Sequence, residues 1–343
     1  MSNPEPRPDE LHCTAVEAAR PELMTPREVP LGGPRAMSVR RTLPQRGRSL
    51  IGAWCFLDHY GPDLVGDTGG MVVAPHPHTG LQTVSWLFAG EVEHRDSAGN
   101  VAMVRPGEVN LMTAGHGISH SEVSTPATDV LHGAQLWVAL PDDARDTAPG
   151  FQHHAPEEVV GTGWRARVFL GSLLGSTSPV ATATPLLGAE IVLEPHGVLD
   201  LAAPLPGGGG GVEVSFELGV LVDTGGITAA GVPASSADLV FVPPHTADLR
   251  LEAGPEGARV LLIGGPPFGE SIVMWWNFVG RSHDEIVAFR EQWQSQVLDP
   301  DRPGEVVASG GLVAAGRFGV VPGQPLPPIP APALPNARLR ERR

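Results

Sequence analysis

Two short histidine-containing motifs in the first half of the chain have the residue types and the spacing of metal ligands. The first motif contributes His76 and His78, and the second contributes His120 and Glu122. Residues two apart in an extended strand point to the same face, so each motif can place two side chains in one cavity. Together the motifs offer three imidazole nitrogens and one carboxylate oxygen, a set that suits Fe, Mn, Co, Ni, Cu or Zn.

The spacing leaves open what such an ion would do. A single pair of histidines two residues apart is common and usually has no function. Two pairs, each beside turn residues in an apolar sequence, favour a metal site. Four protein ligands on an octahedral ion leave two positions for a substrate or dioxygen, whereas a tetrahedral zinc ion with the same four ligands would be structural.

The composition argues against several other kinds of chemistry. The chain has 343 residues, with 38 acidic and 23 basic side chains and a net charge of −15. This balance argues against direct binding to nucleic acid or to an anionic membrane. All the basic residues are Arg, so no Schiff-base lysine or P-loop lysine is available. Residues 1–10 do not resemble a signal peptide and no apolar run is long enough to span a membrane, so we expect a cytoplasmic protein.

The elements that must position these ligands are predicted to be short strands. The chain contains 43 glycines and 36 prolines, and they separate short apolar segments in the way that is typical of turn-rich β proteins. The strongest helix prediction has Ser282 as its N-cap and Ile286, Phe289 and Trp293 on one stripe. The predicted strands are 49–58, 80–88, 101–104, 109–113, 134–140, 166–170, 189–193, 212–218, 220–223 and 238–242, and the helix is 283–296.

The second half of the chain weakly repeats the first. The sequence DSAG at 96–99, followed by NLMT at 110–113, resembles DTGG at 223–226, followed by DLVF at 238–241. This repeat predicts two copies of one β domain. The predicted division is a flexible leader at 1–29, an N-terminal domain with the metal site at 30–165, a C-terminal domain without metal at 166–298, and a Pro-rich tail at 299–343.

Longer stretches around the two motifs resemble the pirin family, a branch of the cupins. The resemblance covers about residues 30–340 and includes the stretches HPHTGLQTVSWLFAGEVEHRDSAGN and RPGEVNLMTAGHGISHSE. It implies an all-β fold of two tandem cupin domains (jelly-roll β-barrels) with a few short helices and a C-terminal helix. It also implies one mononuclear metal, most often iron as Fe²⁺, in the N-terminal barrel. The ligands implied by motif match are His76, His78, His120 and Glu122.

The resemblance implies two alternative functions. Some pirins are similar to quercetin 2,3-dioxygenases, which open a flavonol ring with O₂. In this enzyme, Glu122 would be both a metal ligand and the catalytic base for the hydroxyl of a small aromatic substrate. The alternative is a non-enzymatic regulator, in which the oxidation state of the iron changes the surface that is presented to a partner protein.

Two residues depart from the family pattern. Gln82 stands where many pirins have an acidic residue, and by parity we expect it to share a face with the histidine pair. His116 stands where pirins often have Arg, and we interpret it as a tolerated loop residue rather than as a neighbour of the ligands. Neither departure removes a ligand.

Four further residues are candidates for supporting roles. His94 and Asp96 either form a hydrogen-bonded turn or orient a ligand histidine through its second ring nitrogen, and the sequence leaves both roles open. Gln135 and Trp137 are predicted to lie on a strand that lines the barrel mouth, where they can contact a substrate. Core packing is the favoured role for Trp137.

Overall fold

The computed structural model describes residues 20–31, 37–202, 215–246, 248–299, 305–307 and 316–342 of the chain. Within these ranges it contains 24 strands and two helices, which confirms the predicted all-β fold. Neither helix in the described part of the chain is long and apolar enough to cross a membrane.

The first barrel is built from two sheets that face each other. One sheet has seven strands in the order β12-β9-β6-β11-β4-β3-β2, and the other has four strands in the order β5-β10-β7-β8. The elements of this barrel are β2 Arg27–Leu31, β3 Met37–Leu43, β4 Trp54–Leu64, α1 Val65–Thr68, β5 Val72–His78, β6 Leu81–Ala89, β7 Val92–Asp96, β8 Val101–Val104, β9 Val109–Thr113, β10 Ile118–Ser124, β11 Val130–Ala139 and β12 Gly150–His154. The first strand of the chain, β1 Glu22–Met24, belongs to the sheet of the second barrel.

The second barrel is a single sheet that wraps around its own apolar core. Its path is β1-β21-β19-β22-β17-β14-β13, with β18 also beside β22 and β20 also beside β19. The elements are β13 Glu158–Gly161, β14 Trp164–Leu170, β15 Ser172–Leu173, β16 Ser176–Thr177, β17 Leu187–Leu193, β18 Val198–Ala202, β19 Glu217–Ala229, β20 Val232–Ser235, β21 Leu239–Val242, β22 Asp248–Gly265, β23 Val273–Trp275, β24 Phe278–Gly280 and α2 His283–Val297. Of the predicted strand 212–218, residues 212–214 lie outside the described ranges.

An apolar interface joins the two barrels along the outer face of the seven-stranded sheet. Trp86 stacks on Phe169 with 4.6 Å between the ring centroids. The indole nitrogens are also satisfied across the interface, because Trp54 Nε1 donates to Gly264 O at 3.1 Å and Trp86 Nε1 donates to Glu190 Oε2 at 2.9 Å. Buried aromatic pairs with paired N–H groups fix the relative position of the barrels.

The segment predicted as a flexible leader contains two strands. β1 pairs with β21 of the second barrel, with Leu23 opposite Val240, and β2 pairs with β3 of the first barrel. Met24 and Val29 are buried, and the burial of their side chains offsets the conformational entropy lost when the segment is ordered. The rest of the predicted leader, residues 1–19, lies outside the described part of the chain.

The predicted Pro-rich tail packs against the first barrel where the structure describes it. We call residues 316–342 the C-terminal strap. Gln324 Nε2 donates to Ser121 Oγ at 2.9 Å, and the Ile329 amide donates to Pro75 O at 2.8 Å. Composition alone suggests disorder, but these bonds to β5 and β10 hold the strap on the outer face of the four-stranded sheet.

The helix α2 begins at the predicted residue, His283, and ends one residue later than predicted, at Val297. Ser282 is its N-cap, since the Ser282 hydroxyl accepts a hydrogen bond from the Glu285 amide. Ile286 and Trp293 are fully buried, and Trp293 Nε1 donates to Ile329 O of the strap at 2.8 Å. The helix therefore packs between the β23–β24 hairpin and the strap.

Candidate metal centre

The four-stranded sheet of the first barrel carries all four residues of the two predicted motifs. β5 contributes His76 and His78, and β10 contributes His120 and Glu122. The two strands are antiparallel neighbours, with His76 directly opposite His120. A register shift between His120 and Glu122 follows, and such bulges re-aim side chains beside functional sites. All four side chains are buried.

The three histidines converge through one nitrogen each. Their ligand atoms all lie within 4.8 Å of one another. His76 Nδ1 lies 2.9 Å from Ala74 O, and His78 Nδ1 lies 3.0 Å from Asn277 O. A carbonyl oxygen can only accept, so both Nδ1 atoms carry the proton and both Nε2 atoms present a lone pair.

The third imidazole, His120, is oriented through a second histidine. His94 Nε2 lies 3.2 Å from Asp96 Oδ2, and because a carboxylate accepts, His94 is protonated on Nε2. Its Nδ1, 3.3 Å from His120 Nδ1, then accepts the proton of that atom. His120 Nε2 is therefore also a lone-pair nitrogen.

The distances between these nitrogens fit a shared divalent ion. His78 Nε2 and His120 Nε2 lie 3.1 Å apart; two lone pairs cannot hydrogen-bond, but neighbouring ligands of an ion at about 2.1 Å have this separation. His76 Nε2 is buried and has no hydrogen-bond partner among the described residues. A buried unpaired nitrogen costs about 1–3 kcal/mol, and a bound cation removes that cost.

The imidazoles are also in the protonation state that a metal requires. Burial lowers the pKa of His76, His78 and His120 well below the ordinary value of 6.5, and neighbouring imidazoles contribute in the same direction for all three. All three rings are therefore neutral at neutral pH, and binding an ion displaces no proton from them.

Glu122 lies beside this group on the side of His94. Its carboxylate, His94 and His120 form a second set of possible ligand atoms within 4.8 Å of one another. The structure thus brings the ligand atoms of His76, His78 and His120 together. It places the Glu122 carboxylate beside them, close to His94 and His120.

Asp96 serves both roles that the sequence left open. It accepts from the Ala98 and Asn100 amides at 2.9 and 3.0 Å, so it organises the turn after β7. It also accepts a hydrogen bond from His94 Nε2. Burial alone raises the pKa of Asp96, but the hydrogen bonds from His94 and Asn100 outweigh burial and lower it, which keeps the carboxylate charged.

The expectation that Gln82 shares a face with the histidine pair is wrong. The turn at residues 79–80 separates β5 from β6, so the alternation of side chains between the two faces in β5 does not continue in the same phase in β6. Thr83 pairs with Trp137, whose ring meets His78 at 5.1 Å, and it is therefore Thr83 that faces the barrel interior. Gln82 points to the opposite face, where its Nε2 donates to Thr113 Oγ1 at 2.9 Å.

His116 is an exposed loop residue, in agreement with the favoured interpretation. Its Nδ1 lies 3.1 Å from Thr147 O, and its carbonyl accepts from Arg317 of the strap at 2.6 Å. The ring makes no contact with the ligand histidines in the part of the chain that the structure describes.

A second cluster of buried histidines, which the sequence did not predict, lies between the barrels. His59 of β4 and His132 of β11 approach Asp223 of β19, with Nε2 atoms 2.7 and 2.6 Å from Asp223 Oδ1. Arg259 Nε donates to Asp223 Oδ2 at 2.6 Å. The residues of this cluster are far apart in the sequence and come from both barrels. No local sequence motif could therefore have predicted it.

The protons of this interbarrel cluster are arranged differently from those of the first. Arg40 lies with its guanidinium nitrogens 3.3 and 3.2 Å from His59 Nδ1, and a guanidinium can only donate. His59 therefore carries its proton on Nε2 and donates it to Asp223. Burial alone raises the pKa of Asp223, but the hydrogen bonds from His132 and His59 and the charge of Arg259 lower it.

Comparison with known proteins identifies the family. The Pirin family model matches residues 36–138, and the model described as the Pirin C-terminal cupin domain matches residues 211–299. A Caulobacter vibrioides protein named "Pirin-like protein" is 35% identical over 267 residues, which cover 75% of this chain and 88% of that protein. The chain belongs to the pirin family.

Two proteins that are similar to this chain carry names that refer to an activity. A Pseudomonas aeruginosa protein named "Putative quercetin 2,3-dioxygenase PA1205" is 42% identical over 298 residues, covering 86% of this chain and 91% of that protein. A crystal structure titled quercetin 2,3-dioxygenase from Acinetobacter baumannii is 35% identical, with a TM-score of 0.81 and coverage of 95% of this chain and 99% of that one.

Proposed function

We propose that this pirin-family protein is an Fe²⁺-dependent dioxygenase that opens the ring of flavonol-type substrates, with His76, His78, His120 and Glu122 as the metal ligands. The observation that carries the proposal is the convergence of three unprotonated Nε2 atoms, two of them 3.1 Å apart. The names of the Pseudomonas and Acinetobacter relatives support quercetin as the first substrate to test.

We place the metal-bearing unit at residues 30–165, the metal-free barrel at 166–298 and the Pro-rich segment at 299–343. When bound, the ion supplies a Lewis acid and a source of electrons for O₂. The residues of the chain supply the rest. Asn277 O and the Asp96–His94 pair hold the rings of His78 and His120 in place, so that the ligand nitrogens need not reorganise during the reaction.

Glu122 is the group that we assign to proton transfer. It is buried on β10 beside His94, and a carboxylate oxygen there can accept the proton of the flavonol hydroxyl. The four side chains of the site are buried, and burial strengthens the charge interactions among them. The same residue is proposed as a ligand, so its replacement is expected to affect both metal binding and turnover.

Oxygen consumption tests the proposal. The metal-free protein is loaded anaerobically with Fe²⁺, mixed with quercetin and exposed to O₂, and uptake of O₂ and ring-opened product are measured together. His76→Ala is the matched control without a complete ligand set, and loading with Mn, Co, Ni, Cu or Zn identifies the active ion. Iron-loaded protein that consumes no O₂ with several flavonols contradicts the proposal.

One observation favours the alternative of a redox-dependent regulator. The strap contacts the outer face of the ligand strand β10, where Ser119 Oγ donates to Gly319 O and Gln324 donates to Ser121, on either side of His120. Oxidation of bound iron that shifts β10 would then alter the surface offered by the strap to a partner protein. The rate of tryptic cleavage within the strap, compared between the Fe²⁺ and Fe³⁺ forms, tests this, and equal rates contradict it.

A further inference from the structure

The inner wall of the first barrel, opposite the ligand-bearing sheet, is unusually polar. The strand registers place five polar residues opposite one another in a single row across β3, β4, β11, β6 and β9. Each is at most 6% exposed. The row consists of Arg41, Asp58, Gln135, Ser85 and Asn110. Burying polar groups costs free energy even when they are paired, so such a wall is not explained by stability.

Most of this row is internally hydrogen-bonded, and the exception is informative. Arg41 and Asp58 form a two-bond ion pair at 2.7 and 2.8 Å. Ser85 Oγ donates to Gln135 Oε1 at 2.8 Å. The other end of the Gln135 amide, Nε2, is buried and has no hydrogen-bond partner within the described residues.

A second donor without a partner lies two residues along the same strand. Trp137 is fully buried and stacks on Phe56 with 4.0 Å between the ring centroids. It also makes a T-shaped contact with His78, with 5.1 Å between the ring centroids. Its Nε1 also lacks a hydrogen-bond partner in the described part of the chain. Core packing explains the ring of Trp137 but not its N–H group, since a buried donor without an acceptor is costly.

We propose that Trp137 Nε1 and Gln135 Nε2 bind oxygen atoms of the substrate. Residues two apart on one face of a strand are about 7 Å apart, and Trp137 adjoins the ligand His78, so the pair extends from the metal centre along the barrel wall. Because both groups donate hydrogen bonds, they favour a ligand that carries hydrogen-bond acceptors at matching positions. The substrate class is an aromatic compound with one oxygen for the ion and further hydroxyl or carbonyl oxygens on its remote rings.

This inference rests on the proposed function, but its test does not require turnover. The protein is loaded with Zn²⁺, which is diamagnetic and redox-inert, and its affinity is measured for quercetin and for 3-hydroxyflavone. The second compound keeps the metal-binding oxygens and lacks the remote hydroxyls. Trp137→Phe removes one donor and keeps an aromatic ring, and Gln135→Met removes the other and keeps a side chain of similar size. Each is expected to weaken quercetin binding about fivefold to tenfold and to leave 3-hydroxyflavone binding unchanged.

A spectroscopic measurement on the unsubstituted protein complements the variants. The ¹H–¹⁵N resonance of the Trp137 indole is expected to shift downfield with quercetin and to move less with 3-hydroxyflavone. Equal weakening of both compounds in both variants, or an indole resonance that does not respond to quercetin, overturns the inference. If quercetin binding by the Zn²⁺ form depends on the two donors but the Fe²⁺ form takes up no O₂, the binding role of Trp137 and Gln135 is supported and the dioxygenase proposal is rejected. If the Fe²⁺ form takes up O₂ but quercetin binding does not depend on the donors, the dioxygenase proposal is supported and the binding role is rejected.

Discussion

The two clusters of buried histidines in this protein differ in where their protons lie. In the His76–His78–His120 cluster, every Nδ1 donates to an acceptor, so three lone pairs point at one another. In the interbarrel cluster, Arg40 donates to His59 Nδ1, so the Nε2 atom that faces Asp223 carries a proton. Both clusters bring ligand atoms within 4.8 Å.

The comparison shows that proximity of histidines does not by itself make a metal site. The partner of the second ring nitrogen decides which nitrogen is available. A carbonyl or a neutral imidazole behind the ring frees Nε2 for an ion, whereas an arginine behind the ring commits Nε2 to donating. We therefore assign the first cluster to metal binding and the second to holding the barrels together.

The largest effect is expected from removing one histidine of each cluster. His76→Ala is expected to weaken metal binding by more than about 100-fold, because a ligand is lost. His59→Ala, the matched variant in the other cluster, is expected to leave metal content and affinity unchanged. Elemental analysis and competitive Zn²⁺ titration measure both. Loss of a second equivalent of metal in His59→Ala would show that the interbarrel cluster also binds an ion.

Neutralising Asp223 tests the structural role of the interbarrel cluster. Asp223→Asn removes the counter-charge of Arg259 and the charged acceptor of the His59 Nε2 proton, so the free energy of unfolding is expected to fall by about 3 kcal/mol, with metal affinity unchanged. Urea unfolding of the metal-free protein measures the change. Asp200→Asn, which removes the exposed partner of Arg250 on the same barrel, is the control and is expected to have little effect. Equal effects of the two substitutions would argue against a structural role for the interbarrel cluster.

The chain of groups behind His120 is expected to have a smaller effect on metal binding. Asp96→Asn weakens the control of the His94 tautomer, and metal affinity is expected to fall about tenfold. Asn100→Ala loosens the same turn without contacting His94, so it separates turn stability from ligand orientation. If both variants bind Zn²⁺ equally, orientation by Asp96 has no role.

The pH dependence of stability sharpens the difference further. Burial lowers the pKa of His59 below 6.5, so the folded protein keeps this ring neutral while the unfolded chain takes up a proton. The stabilisation is fully present above the unfolded pKa and is lost as the pH falls below it, by at most about 1.4 kcal/mol per pH unit. In the metal-saturated protein, His59→Gln is expected to reduce the slope of unfolding free energy between pH 6.5 and 5. An unchanged slope contradicts this assignment.

The smallest effect is expected at Gln82. Because its side chain is on the face away from the ligands, Gln82→Glu is expected to change Zn²⁺ affinity by less than about twofold, even though a charge at a buried position lowers stability. Zn²⁺ titration of the folded variant measures this. A tenfold change would mean that the acidic residue found here in many pirins acts on the site through the sheet.

The sequence predicted the all-β fold and many of its strands, but the strands Val72–His78 and Ile118–Ser124 that carry the ligand motifs were not among those predicted. Turn residues at 96–100 and 105–108 delimit the short apolar strands Val101–Val104 and Val109–Thr113, and the pirin resemblance supplied the two-barrel arrangement. The ligand set itself stays a prediction, although three of its four members meet at one point.

The features that the sequence did not predict depend on turns and on distant contacts. The face of Gln82 depends on how the turn at residues 79–80 restarts the strand. The orientation of His78 depends on Asn277 O, which comes from a hairpin near the other end of the chain. The interbarrel cluster depends on the packing of one barrel against the other, and the unpartnered donor of Trp137 appears only once its neighbours are known.

The strand β1, near the start of the chain, pairs with β21 of the second barrel, and the strap, near the end of the chain, packs against β10 of the first barrel. Each barrel is therefore completed by a segment from the opposite end of the chain. A gene cut between residues 165 and 166 would yield a first fragment without its covering segment and a second fragment with a bare strand edge, which invites aggregation. Dissecting the two halves therefore calls for co-expression of complementary fragments rather than expression of either alone.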